Sequence, residues 1–316
     1  MDAIGPNLIL PGWQSTCHPE WQGISVSDDN MAMISPQAYE VAALPFNSRI
    51  DTTKPTEDVY QMIDSFAGKP NKAILMNFSH NASTLAELFP MEVAVLRHCF
   101  ERDVKVFTLC FMPDTAPLVD YAINTAKEDF PNIKAGVNYC NFGYKPYSLF
   151  LPILLGMGEN IAEAVEIDSE GRKLENLPII EGIKNYDDLN LVIDFSASSS
   201  VFSWVTYARA KFGANVAAGV TAVMAADNYP YLQSGQLIGM LAGIKGAAEY
   251  EKLVDVFATQ QREFSKEIIK EEIVPITGDH PIYGDKIPYK FKKARIGMNA
   301  QTVAHLMIII FILLGN

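Results

Sequence analysis

From Lys72 to Met224 the chain alternates short apolar runs with amphipathic stretches, and few folds accept that alternation. Runs apolar throughout belong to strands buried on both faces, and the stretches between them supply the helices that cover the faces. The pattern predicts strands over 73–78, 104–111, 133–139, 191–195 and 215–224. It predicts helices over 85–102, 116–130, 147–165 and 201–212. An earlier helix over 55–66 is opened by Thr52, Thr53 and Pro55 and stopped by Gly68 and Pro70. Pro113, Pro117, Pro131, Pro146 and Pro152 fall at or near the junctions, where proline is tolerated. The fold class expected is α/β: a doubly wound, mostly parallel, Rossmann-like sheet closed by a C-terminal hydrophobic helix.

Two strings suggest that the sheet is built of similar β-α-β halves. ILMNFSHNAS (74–83) and LVIDFSASSS (191–200) share an apolar triplet, then Asn77 or Asp194, then Phe-Ser, then small polar residues. The same outcome follows from two strands converging on common requirements. The organisation expected is an extended N-terminal wrap with a short helix (1–70), a first half (71–166), a connector (167–188) and a second half (189–256). An amphipathic and basic linker (257–295) and a terminal apolar segment (296–316) complete it.

Composition narrows the functional classes. Lys plus Arg number 25 against 37 Asp plus Glu, a net charge of -12 that lacks the clustered positive surface nucleic acid requires. The 4 cysteines form no C-x-x-C pair, so reduced thiols are expected, and no His/Cys spacing suggests a metal site. Met1 to Pro6 lacks the basic and apolar regions of a secretory signal. Residues 296–316 carry no Asp, Glu, Lys or Arg and follow Lys286, Lys290, Lys292, Lys293 and Arg295. As a helix they would extend about 31 Å, the scale of a bilayer core. A membrane anchor with the body on the cytoplasmic side is therefore expected, the alternative being a buried terminal helix or an oligomer contact.

Gly235, Gly239 and Gly243 at four-residue spacing would form a flat stripe on a helix. Such a stripe lets another backbone approach, either the protein's own, a second copy or a ligand wall.

Ligands of open α/β sheets bind beyond the carboxyl ends of strands. The residues expected there as ligand contacts are Ser79, Asn81, Asp114, Asp194, Ser198, Ser199 and Thr221. Ordinary helix capping accounts for the same serines and aspartates. No P-loop or G-x-G-x-x-G follows a strand, so no cofactor is indicated. His80 is the one histidine at a predicted strand end, and with Ser79, Ser196 or Cys140 as nucleophile it is the candidate catalytic base, although G-x-S-x-G is absent.

The strings YPYLQSGQLIGMLAGIKGAAEYE (229–251) and GMNAQTVAHLMIIIFILLGN (297–316), with ELFPMEVAVLRH, NYCNFGYKP, LPIIEGIKNYDDLNLVIDFSA and GVTAV between Glu87 and Val223, resemble a family of uncharacterised prokaryotic membrane-associated α/β proteins. Residues 257–292 and the beginning of the chain depart from that pattern. The resemblance implies membrane attachment; the family has no established activity, so no catalytic role is carried over and function is left open. The expectation is a membrane-anchored binding or assembly component that self-associates or meets another membrane protein. The alternatives are a tethered hydrolase or transferase using His80, and a sensor of a small anionic ligand.

Overall fold

The computed structural model describes residues 51–69, 71–254 and 293–315; the expectations for 1–50 and for 257–292 fall outside them. The described residues divide into a body that ends at Met298 and the outer part of the last helix, 299–315.

The body is organised on one six-stranded sheet, every neighbouring pair parallel, in the order β3-β2-β1-β4-β5-β6. The strands are β1 (Ala73–Ser79), β2 (Lys105–Cys110), β3 (Tyr139–Tyr144), β4 (Leu191–Ser196), β5 (Val216–Val220) and β6 (Met240–Ala242). Every residue of β1, β4 and β5 is buried, as their unbroken apolar runs require.

Helices cover both faces. Against one lie α1 (Lys54–Asp64), α2 (Leu85–Glu101) and α3 (Ala116–Lys127), packed on Ile74, Met76, Phe78, Ile193 and Phe195. α3 buries Val119, Ala122, Ile123 and Ala126, the stripe expected of an amphipathic helix. α2 is different, because Leu88 through Phe100 are all buried, and among them stand Glu92, Arg97 and His98. The opposite face holds α4 (Phe150–Gly156), α5 (Ile161–Val165), α6 (Tyr186–Leu189) and α7 (Ser200–Trp204). α7 continues through a π turn, Val205–Arg209, into a last α turn, Ala210–Phe212. Also on this face is α8 (Ala222–Gln233); residues 243–254 form α9, and α10 is Lys293–Gly315.

Several boundaries differ from those expected, each for a local reason. The third strand forms at Tyr139–Tyr144 and not over 133–139, because Gly136 (φ 78°) and the bond from Asn138 N to Lys134 O turn the chain there. The helix expected over 147–165 divides into α4 and α5, since Gly158 lies against the Phe212 ring and Asn160 caps α5 by accepting from Ala162 N. β5 stops at Val220 because Thr221 caps α8. The connector 167–188 holds the 3₁₀ turns Leu174–Asn176 and Pro178–Ile180 and then α6.

The glycine stripe is not a stripe. Gly235 (φ 72°) turns the chain after α8, Gly239 precedes β6, and Gly243 (φ 58°) joins β6 to α9, so no single helix carries all three. Four-residue spacing here serves a turn, a short strand and a helix start. Gly239 does admit a close backbone: a Cβ there would stand 2.5 Å from Pro55 O and 3.1 Å from Val59 N of α1. The backbone that approaches it is that of the protein's own α1.

Among the described residues no helix is long and apolar enough to cross a membrane, so the span expected over 296–316 is not found. Asn299, Gln301, Thr302 and His305 interrupt the inner half of α10, which leaves the uninterrupted apolar run at 306–314, about 13 Å of helix. At its base α10 belongs to the body, where Ala294 N donates to Glu251 Oε1 and Gly297 admits Ile244. In its outer part every residue from Leu306 to Leu313 is exposed, between 37% and 73%.

Candidate functional site

The order β3-β2-β1-β4-β5-β6 places the reversal of the sheet between β1 and β4. The two strands pair in register, Asn77 opposite Asp194, Phe78 opposite Phe195 and Ser79 opposite Ser196. The two strings of the suspected repeat thus lie side by side. Ala197 N donates to Ser79 O at 3.2 Å, and beyond this bond the chains part, β1 toward α2 on one face and β4 toward α7 on the other. Diverging connections at such a switch point open a crevice where α/β sheets take their ligands.

Beneath this junction Asp194 of β4 is fully buried. Strand alternation puts Asn77, Ser79, Asp194 and Ser196 on the face that α7 covers. Asn77 Nδ2 donates to Asp194 Oδ1 and to Ser79 Oγ, both at 2.7 Å. Ser200 Oγ donates to Asp194 Oδ2 at 2.5 Å and lies 2.8 Å from Ser196 Oγ. Ser196 Oγ donates to Ser198 O and accepts from Ser198 N, each at 2.9 Å, and lies 3.2 Å from Ser198 Oγ. Burial pushes the Asp194 carboxyl up to about 6, against the opposing pull of the hydrogen bonds from Ser200, Asn77 and Ser79 and of nearby His80. Three hydroxyls therefore connect a buried acid to a loop whose outer members, Ser198 and Ser199, are exposed.

His80 belongs to the other face. It follows Ser79, and alternation turns its ring toward α2, where Nε2 meets Glu92 Oε1 at 2.5 Å with both side chains fully buried. Nδ1 faces Asn81 O at 3.2 Å. Burial alone would lower the His80 pKa, but the Glu92 carboxylate and the Asn81 carbonyl override it and the net direction is upward. The His80 carbonyl accepts from Thr115 Oγ1, which ties this loop to the one after β2.

The remaining expected site residues separate from this junction. Cys140 is the second residue of the edge strand β3, opposite Phe107, and three strand spacings, about 14 Å, divide β3 from β4. Burial pushes its thiol up to about 12, so thiolate chemistry is closed to it. Asn81 caps the turn Ala82–Thr84 by accepting from Ser83 N, and Thr221 caps α8 by accepting from Met224 N. Asp114 is exposed in the turn Pro113–Thr115. Among the described residues no hydrogen bond joins His80 to Ser196 or to Cys140; its ring nitrogens face Glu92 and the Asn81 carbonyl.

Sequence reasoning missed Glu92. Its signal is an acid isolated in the otherwise apolar run FPMEVAVL.

A second buried histidine performs structural work. His98 Nδ1 and Tyr250 Oη lie 2.7 Å apart, Tyr60 stacks on the His98 ring at 4.4 Å, and Arg102 pairs with Asp64, joining α1, α2 and α9. A shallow hollow of about 510 Å³ lies among connector residues including Asn160, Glu175, Gly182, Lys184 and Asp188, apart from the strand tips. No group of His, Cys, Asp and Glu among the described residues is arranged to hold a metal ion. Comparison with family models, with characterised proteins and with solved structures finds no match.

Proposed function

We propose that this chain is a binding component whose α/β body seats a small oxyanion in the crevice between β1 and β4. The observation that carries the reading is the connected hydroxyl loop, Ser196, Ser198 and Ser200, standing at the head of the helical run 200–212. Ser199, the N-cap of α7, makes no side-chain capping bond, so the first-turn N–H groups there lack the usual side-chain acceptor. Exposed N–H groups and the positive end of a helix favour an anion, and serine hydroxyls add donors. A hydrolase built on His80 fits less well, because both ring nitrogens already face partners.

Sulfate or phosphate is expected to bind the detergent-solubilised full chain with a Kd on the order of 1 mM, a binding free energy of about −4 kcal/mol. Ser198→Leu, which blocks the mouth at an exposed position, is expected to abolish it. Calorimetric titration that finds neither anion bound, or Ser198→Leu without effect, would remove the reading.

A second reading concerns attachment, and it rests on the eight successive exposed apolar residues of α10. A helix apolar on all sides fits a lipid phase better than a one-sided groove. The basic residues preceding it favour an anionic headgroup layer. The full chain is expected to float with anionic vesicles, and Ile309→Glu with Ile312→Glu to leave it at the bottom of the gradient. Equal flotation of the two proteins would instead place attachment elsewhere.

A further inference from the structure

Three successive residues of α9 hold three different elements of the body. Glu249 Oε2 accepts from Thr53 N at 3.0 Å and from Thr53 Oγ1 at 2.6 Å, which fixes the start of α1. Tyr250 Oη meets His98 Nδ1 of α2 at 2.7 Å. Glu251 Oε1 accepts from Ala294 N at 2.9 Å and so fixes the first turn of α10. All three residues are buried. The middle bond has a polarity that a proton reverses. A neutral imidazole carries one N–H and one lone pair, and the Asp64 carboxylate, 3.5 Å from Nε2, draws the N–H to that nitrogen. Nδ1 is then the acceptor and the Tyr250 hydroxyl the donor. A protonated ring donates from both nitrogens, so its Nδ1–H points at Tyr250 Oη and the tyrosine proton must turn away. Among the described residues His98 is the sole hydrogen-bond partner of that hydroxyl, so the displaced proton meets the apolar packing around Tyr250 and finds no acceptor.

We infer that His98 and Tyr250 form a proton-sensitive latch, which at neutral pH seats α9 on α2 and on acidification releases together the first turns of α1 and α10 that Glu249 and Glu251 hold. The latch requires neither the anion site nor the lipid contact. The groups that face the ring are Tyr60 and Asp64 of α1, Tyr250 of α9, and Arg102 at the end of α2 itself. Asp64 attracts a charged ring, but its Oδ1 already accepts from Arg102 Nε at 2.7 Å and lies 2.6 Å from Nη2. Burial is the largest influence on His98 and outweighs Asp64, so the folded ring holds its proton less readily than a free histidine. Once α9 lifts away, the ring meets water and takes its proton near pH 6.5. The latch is therefore complete above about pH 6.5 and weakens as pH falls.

Amide hydrogen exchange of the detergent-solubilised full chain at about pH 7.5 and pH 5, each rate divided by the intrinsic rate at that pH, resolves the latch segment by segment. Residues 56–60, 247–254 and 294–298 are expected to exchange through one shared opening that leaves β1, β2 and β4 protected. Their protection is expected to fall at least about fivefold at the lower pH. Asp194 and His80 titrate in the same interval, and comparison with His98→Asn removes their contribution. That variant offers an acceptor near the place of Nδ1 and takes up no proton, so its three segments should show the same protection at both pH values. Tyr250→Phe has no hydroxyl to displace; it should start from weaker protection at pH 7.5 and show a smaller fall. Wild-type protection equal at both pH values, or lost only together with the strands, would overturn the latch. So would a fall that persists undiminished in His98→Asn or in Tyr250→Phe.

Discussion

Asp194→Asn is expected to stabilise the body at neutral pH by up to about 3 kcal/mol, an unusual direction for a substitution in the centre of a sheet. The folded carboxyl titrates at about 6 because burial penalises its charge, whereas in the unfolded chain it titrates near 4. Between those values the folded chain binds the extra proton. Stability from this group is therefore fully present below about pH 4 and is lost as pH rises through about 6. Above that the ionised group is retained at the cost of the difference, about 1.4 kcal/mol per tenfold in acidity.

The neutral asparagine removes the penalty and keeps its partners. Urea denaturation of both proteins at about pH 4.5 and pH 7.5 checks it, the two converging at the lower pH and the variant leading at the higher. Other groups titrate in the same range. His98, held below its ordinary value by burial, withdraws stability as pH falls below about 6.5, and His80, held above it, withdraws stability as pH rises. The difference between wild type and variant cancels His98 and leaves of His80 only the part that Asp194 itself contributes. If the variant is no more stable at neutral pH, the burial penalty assigned to Asp194 is wrong. A residue that weakens its own fold is a candidate for ligand work.

The sheet was legible because β1, β2 and β4 are apolar on both sides and leave no other partner than helices. β3 was misplaced because Cys140-Asn141-Phe142-Gly143 has little strand character, and its position is set by pairing with β2 rather than by propensity. β6 was read as helix because three apolar residues beside regularly spaced glycines satisfy both periods, and the left-handed angles of Gly235 and Gly243 decide the matter.

At the site the residue types were legible and their facing was not. The expected contacts Ser79 and Asp194 and the candidate nucleophile Ser196 do fall in one hydrogen-bonded group, which Asn77 and Ser200 complete. His80 was also joined to Ser196, although one residue beyond Ser79 is the wrong parity for that face. The register Ser79 opposite Ser196 supplies the missing step, because it puts Ser196 with Ser79 and sends His80 to α2. Register is a long-range property that one strand's sequence does not carry.

Glu92→Ala is expected to cost about 3–5 kcal/mol, the largest loss foreseen for any single change near the junction, because it leaves His80 buried without its counter-charge. His80→Phe strands Glu92 in the same way. The double variant His80→Phe/Glu92→Leu replaces both groups by apolar ones of similar volume, and is expected to cost at least about 2 kcal/mol less than the two singles together. Additive losses in urea denaturation would show that the pair contributes no coupling. The pH profile adds a second check. Since the folded His80 pKa is raised, the pair's contribution is complete below about pH 6.5 and declines as pH rises through the folded value. The gap between wild type and the Glu92 variant must therefore narrow in alkali. Thr115 Oγ1 donates to the His80 carbonyl and Asn81 caps the next turn, so the buried pair also sets where the β1 loop stands beside the serine loop. Sulfate affinity should accordingly fall in Glu92→Ala although Glu92 lies on the opposite face of the sheet from the hydroxyls, and should recover in the double variant as packing is restored.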